Sequence, residues 1–229
     1  MAQLAVFDLD GTLVDTPRAI IETFSAAFGS LGVEVPDAPE IRATIGLPLQ
    51  RAFGDLLGVA PDDELATRGV RQYQIHYKEL ILPRAQELLF PGVAEGLAGL
   101  QDRGVTLAVA TSKFHASADA LLSAAGLRDR FALVVGADQV THPKPHPESG
   151  QLVLDTLGIP AEHAVMVGDT THDLKMANAA GLRSIAVTYG IHSAAELATA
   201  EPTWTVDTFD EVVARLDKAL TTQDQGSAV

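Results

Sequence analysis

Short apolar runs alternate with stretches of helical spacing, and this alternation constrains the chain more than any other feature. The runs are Leu4–Phe7, Thr106–Ala110, Leu133–Gly136, Ala164–Val167 and Ser184–Val187. Each has the length of a buried strand bounded by turn residues. Between them Val93–Leu100, Ala118–Leu127, Ser149–Leu157 and Leu174–Ala180 repeat apolar residues at helical intervals. Gly104, Gly126, Gly158 and Gly181 stand where such helices would stop. Strand and helix in alternation predict an α/β fold, with a parallel sheet covered by helices on both faces.

From about Asp15 to about Leu89 the rhythm breaks. Ala19–Leu31, Leu49–Leu57 and Leu65–Leu82 carry helical patterns, and no strand-like run stands out. An all-helical insert between the first and second strands is expected, with Pro17 and Pro91–Gly92 near its joints. The chain therefore divides into an α/β core of residues 1–15 and 86–229 and a helical domain of residues 16–85. A last helix, Phe209–Leu220, precedes a polar tail that is expected to fray.

With 229 residues, 47% of them hydrophobic, the chain can bury a core without staples. Cysteine is absent, so disulfides, thiolate catalysis and cysteine-ligated zinc are excluded. No signal peptide and no bilayer-spanning run is read, and a cytoplasmic protein is expected. The net charge of −14 argues against a nucleic-acid partner. It does not exclude a phosphorylated substrate, because a metal ion and one or two local cations set the field inside a pocket.

In sheets of this kind ligands bind beyond the carboxyl ends of the strands. There the sequence places Asp8-Leu9-Asp10-Gly11-Thr12, then Thr111-Ser112, then a loop holding Lys144, then Gly168-Asp169-Thr170 with Asp173. Carboxylates, hydroxyls and a lysine thus converge from four strand ends. Asp8 and Asp10, two apart on extended backbone, share a face and repel unless a cation or a proton intervenes. Thr111 and Ser112, between strand and helix, suit either phosphoryl oxygens or a helix cap, and a cap already aims donors at the pocket. Lys144, held between Pro143 and Pro145, sits on a stiff loop where it could neutralise both a phosphate and Asp8. Asp173 follows Asp169 by about a helical turn, as a partner of Lys144 or of a water, or as a capping acid.

These residues resemble the four motifs of the haloacid dehalogenase (HAD) superfamily, in its phosphatase branch with a helical cap after the first strand. Phe7 to Asp15 is similar to the first motif, Thr111-Ser112 to the second, Lys144 to the third, and Gly168-Asp169-Thr170 through Asp173 to the fourth. The resemblance spans nearly the whole chain. It implies a Rossmann-like three-layer core, a cap at residues 16–85 and magnesium as cofactor. It implies Asp8 as nucleophile and metal ligand, and Asp10 as general acid/base binding metal through its backbone carbonyl. Asp169 would complete the metal site, with Asp173 behind it, while Thr111, Ser112 and Lys144 hold the substrate phosphate. Cap placement and Tyr189-Gly190 look most like phosphoglycolate phosphatases.

The implied partner is a small phosphorylated metabolite, handled by a monomer or homodimer away from membranes. Gly46-Leu47-Pro48-Leu49, with Arg51 nearby, is either a substrate-facing loop or a plain helix turn. Lys113 is either a contact for the far end of the substrate or a solvated surface residue. His142, His146 and His172 are read as surface residues without a metal role. A phosphomutase, a pyrophosphatase or a nucleotide phosphatase would keep the same core. A dehalogenase would typically lack Asp10, and a silent binding module should have lost a carboxylate or the lysine.

Overall fold

The computed structural model describes residues 3–221; the polar tail beyond them lies outside the described residues. Six strands form one parallel sheet: β1 (Gln3–Phe7), β2 (Val105–Ala110), β3 (Leu133–Val135), β4 (Ala164–Gly168), β5 (Arg183–Val187) and β6 (Trp204–Val206). Their order is β3-β2-β1-β4-β5-β6. The first strand is thus central, paired with β2 on one side and β4 on the other, Phe7 standing level with Val109 and Val167. The direction of winding reverses there, and open α/β sheets bind ligands at such a switch point.

Both faces of the sheet are buried, which is why its strands read as unbroken apolar runs. Ala5, Phe7, Val109 and Val167 belong to the core on one face, and Leu4, Val6, Ala108 and Met166 to the core on the other. The covering helices are α5 (Val93–Asp102), α6 (His115–Ala124), α7 (Glu148–Leu157), α8 (Thr171–Ala179), α9 (Ala194–Ala198) and α10 (Phe209–Thr221). The sheet has one strand more than the five runs suggest. Trp204–Val206 is three residues long with an exposed centre, so it offers no apolar run to recognise.

Four helices separate β1 from α5: α1 (Pro17–Leu31), α2 (Ala38–Ala43), α3 (Leu49–Leu57) and α4 (Glu64–Leu80). Among the described residues this segment contains no strand of its own. Its helices pack around aromatic rings: Phe24 lies 4.8 Å from Phe53 and 4.8 Å from Tyr73, centroid to centroid, and Phe28 stacks on Phe53 at 5.5 Å. Aromatic burial of this kind supplies a local core independent of the sheet. The short α2 is set by a capping box, Asp37 N–H donating to Glu40 Oε2 at 2.9 Å. No helix of the described chain is long and apolar enough to cross a membrane.

Candidate active site

Asp8 follows β1 directly, its N–H continuing the ladder to Val167 O at 2.9 Å. Thr111 does the same beyond β2, donating to Val135 O at 3.0 Å, and Asp169 follows β4. Because β2, β1 and β4 are neighbours, these three side chains meet at one end of the sheet. All three are buried.

Lys144 ties the cluster together. Its Nζ donates to Asp8 Oδ1 at 2.7 Å, to Asp173 Oδ1 at 2.5 Å and to Ala110 O at 3.1 Å. All three of its donors are thereby used, and its side chain is 4% exposed. Asp173 serves two neighbours at once. Besides Lys144, it accepts from Thr170 N–H at 3.0 Å and Thr170 Oγ1 at 2.7 Å, closing a capping box at the start of α8. The capping acid and the lysine partner, separate readings of the sequence, are one carboxylate.

Asp169 accepts from Thr12 Oγ1 at 3.0 Å and from Ile191 N–H at 2.8 Å. It is wedged between two glycines. A Cβ on Gly11 would lie 2.2 Å from Asp169 Oδ2, and one on Gly190 would lie 2.3 Å from Asp169 Cβ. Gly11 also has φ +86°, which L side chains rarely adopt. Tyr189 braces the same loop, its hydroxyl donating to Thr12 O at 2.9 Å.

Asp10 sits at the rim. Thr16 Oγ1 donates to its Oδ1 at 2.7 Å, and Lys113 Nζ lies 3.0 Å from its Oδ2. Lys113 is therefore not a solvated surface residue; it is mostly enclosed, paired with Asp10, and 4.5 Å above the ring of Tyr77. Thr111 Oγ1 accepts from Lys113 N–H at 3.2 Å, turning the backbone after β2 toward the cleft. Ser112 Oγ is buried with no protein partner, and the residue lines the cleft with Asp8, Asp10 and Thr111.

Three buried carboxylates face one ammonium. Burial pushes Asp8 up to about 7, against the pull of Lys144 and with a further push from Asp173. Burial likewise raises Asp169 well above the ordinary carboxylate range, and Asp8 and Asp173 add to it. Burial alone would lower Lys144, but Asp173 and Asp8 outweigh it and hold the ammonium firmly charged. Asp8, Asp169 and Asp173 each offer an oxygen within 4.8 Å of the others'. Asp173 is committed to Lys144 and Thr170, whereas no described donor reaches Asp8 Oδ2. An all-oxygen set with surplus negative charge fits a hard divalent cation such as magnesium.

The histidines divide. His142 and His146 are exposed, as expected, and gather about Glu148, His142 Nδ1 lying 2.9 Å from its Oε2. His172 departs from the surface reading. It is half-buried, its Nδ1 is enclosed without a partner, and burial lowers its pKa. Gly46, Leu47 and Leu49 line the cleft, so the turn into α3 is also its wall. Arg51 instead lines a neighbouring depression, paired with Asp55 at 3.1 Å.

Thr12 and Thr170 stand in the motifs without an assigned role, and Thr16 and the N–H of Ile191 are not singled out at all. Thr170-x-x-Asp173 is a recognisable capping pattern. Ile191 is unmarked because its partner Asp169 lies 22 residues earlier, and Thr16 because it reaches Asp10 only through the turn at Gly11.

A parallel sheet whose central strand ends in a buried aspartate, with a lysine and a second acidic pair from later loops, defines a class of hydrolase. The family model described as "Haloacid dehalogenase-like hydrolase" matches residues 5–187, and the chain belongs to that family. It is 57% identical over 213 residues to "Probable phosphatase IndB" of Dickeya dadantii, with 93% of each chain covered. A phosphoglycolate phosphatase of Rhodospirillum rubrum is 34% identical over 197 residues, covering 83% of this chain and 81% of that one. Among solved structures, a predicted phosphatase from Clostridium acetobutylicum superposes with a TM-score of 0.83 at 27% identity, covering 95% of this chain and 99% of that one. The protein is an HAD-family phosphatase.

Proposed function

We propose that this phosphatase is magnesium-dependent and hydrolyses a small phosphate monoester through an aspartyl-phosphate on Asp8. One observation carries the reading: Asp8 Oδ1 is fixed by Lys144 while Oδ2 is left without a donor beside the cleft. A carboxylate so held has one oxygen oriented for attack. Asp8 and Asp169, with the backbone carbonyl of Asp10, would hold magnesium, which would offset the repulsion between an anionic nucleophile and an anionic phosphate.

In the first half-reaction Asp8 Oδ2 bonds to phosphorus, the ester P–O bond breaks, and Asp10 gives a proton to the departing oxygen. In the second, Asp10 takes a proton from water as the water oxygen bonds to phosphorus and the Asp8–phosphorus bond breaks. Thr111 and Ser112 hold the phosphoryl oxygens, and the Lys144 ammonium, beside Asp8, offsets their charge. Asp10 is at the rim, where it can reach both the departing group and the incoming water. Residues 16–85 act as a cap that closes the cleft during turnover and selects the substrate. Phosphoglycolate is one ester to include among those tried, because several relatives are named for it.

Steady-state release of phosphate from small esters tests the reading. Magnesium is expected to be required, and full turnover after chelation would refute it. Release of a rearranged ester in place of free phosphate would indicate a phosphomutase. Thr111→Val, which removes the hydroxyl but keeps the shape, is expected to lower kcat/KM by about 10–100-fold through one lost charge-assisted hydrogen bond.

Thermal unfolding gives a second check. Asp8 in the fold sits at about 7, above its ordinary 3.8, so the folded state holds protons more tightly than the unfolded chain. That contribution is fully present below about pH 4 and is lost as pH rises through 7. Magnesium, competing with those protons, should raise Tm more at pH 8 than at pH 5.5. At a hundredfold excess over Kd the rise at high pH is expected to be roughly 5–10 °C. Calorimetry with magnesium against chelator reads it.

A further inference from the structure

Beyond the catalytic carboxylates, the cleft is walled by Ile20, Phe24, Ile45, Leu49, Tyr73 and Tyr77. These side chains extend the cleft past the carboxylates and give the part of a substrate beyond its phosphate an apolar surface to meet. The described residues lining it include one cation, Lys113, and that cation is already paired with Asp10. Arg42 points elsewhere, donating to Ile191 O at 3.3 Å, and Arg51 lies outside the cleft. A carboxylate or a second phosphate entering this wall would lose its hydration and find no free positive partner.

The same wall contains an unsatisfied donor. The Tyr77 hydroxyl is buried, with no hydrogen-bond partner, in a residue only 3% exposed. Burial, with Asp10 nearby, keeps the phenol protonated. A buried hydroxyl is costly until something accepts from it. The Gln74 amide, also at the lining, can donate or accept beside it. Phe24 and Tyr73, packed on each other at 4.8 Å, add aromatic surface to the same lining.

We infer that the cleft takes a phosphate monoester whose alcohol is uncharged and built on a ring, with a hydrogen-bond acceptor for the Tyr77 hydroxyl. This rests on the phosphatase reading and narrows it. Phosphoglycolate and pyrophosphate, which carry their second charge into the cleft, are the substrates it disfavours.

The test compares kcat/KM, with magnesium, for nucleoside monophosphates, phenyl phosphate, phosphoglycolate and pyrophosphate. The best ring-bearing ester is expected to exceed phosphoglycolate and pyrophosphate by about 100-fold or more. Tyr77→Phe is expected to raise KM for acceptor-bearing ring esters, with a loss in kcat/KM at least about 10-fold greater than for phenyl phosphate, which lacks the acceptor. That comparison within one variant separates recognition from any general damage to the fold. Preference for phosphoglycolate or pyrophosphate, or equal rates for all, overturns the inference and leaves the phosphatase reading standing. An equal loss on both ring esters overturns the role given to Tyr77. Hydrolysis of none of them removes the phosphatase reading, and the inference with it.

Discussion

Replacing Asp8 by asparagine should abolish turnover, with kcat falling by at least about 10⁴-fold, while the fold is kept. The magnitude follows from removing a nucleophile for which the site offers no substitute. The other buried carboxylates are occupied: Asp173 by Lys144 and Thr170, Asp169 by Thr12 and Ile191. Neither presents a free, oriented oxygen as Asp8 does. The amide is close in shape to the carboxylate and removes one of three crowded negative charges. Asp8→Asn should therefore unfold no earlier than the parent in chelator. Retained turnover in this variant would move the chemistry to another residue.

Lys144→Met should damage both activity and stability. The ammonium balances Asp8 and Asp173 in a site where all three are enclosed. Removing one partner of a buried ionic network typically costs about 3–5 kcal/mol, because the remaining charges are left uncompensated. Turnover should fall by about 10²–10³-fold, as expected on losing a preorganised electrostatic group. The two losses are separable. Adding Asp173→Asn to Lys144→Met removes one stranded carboxylate, so denaturant unfolding should show part of the stability restored. Activity should stay low, since the phosphate and Asp8 still lack their cation. Recovery of both together would mean that Lys144 acts only as a structural counter-ion.

Much of the core could be read from the chain because its physics is local. β1, β2, β4 and β5 are buried on both faces and so appear as plain apolar runs. The loops that follow them carry acidic and hydroxylic residues where the sheet must present its ligands. β6 could not be read, since a three-residue strand with one exposed position has no pattern. The short α9 has a capping box, Ser193 with Glu196, but too few residues for a periodic signal. In the site, residues that follow strands were accessible to reasoning, while long-range partners were not. Lys113 shows the limit: nothing in its neighbours reveals that it folds back onto Asp10 and over Tyr77. The helices between β1 and α5 were legible as helices, yet which of their side chains turn toward Asp8 depends on packing that the sequence does not display.

The most direct test of a covalent aspartyl-phosphate is the stereochemical course at phosphorus. A phosphorothioate monoester made chiral at phosphorus by its sulfur and two oxygen isotopes would be hydrolysed in water carrying the third isotope, and the configuration of the released thiophosphate determined. Attack by Asp8 followed by attack by water inverts twice, so the account requires net retention. Net inversion would mean that water attacks the ester directly, and would contradict it.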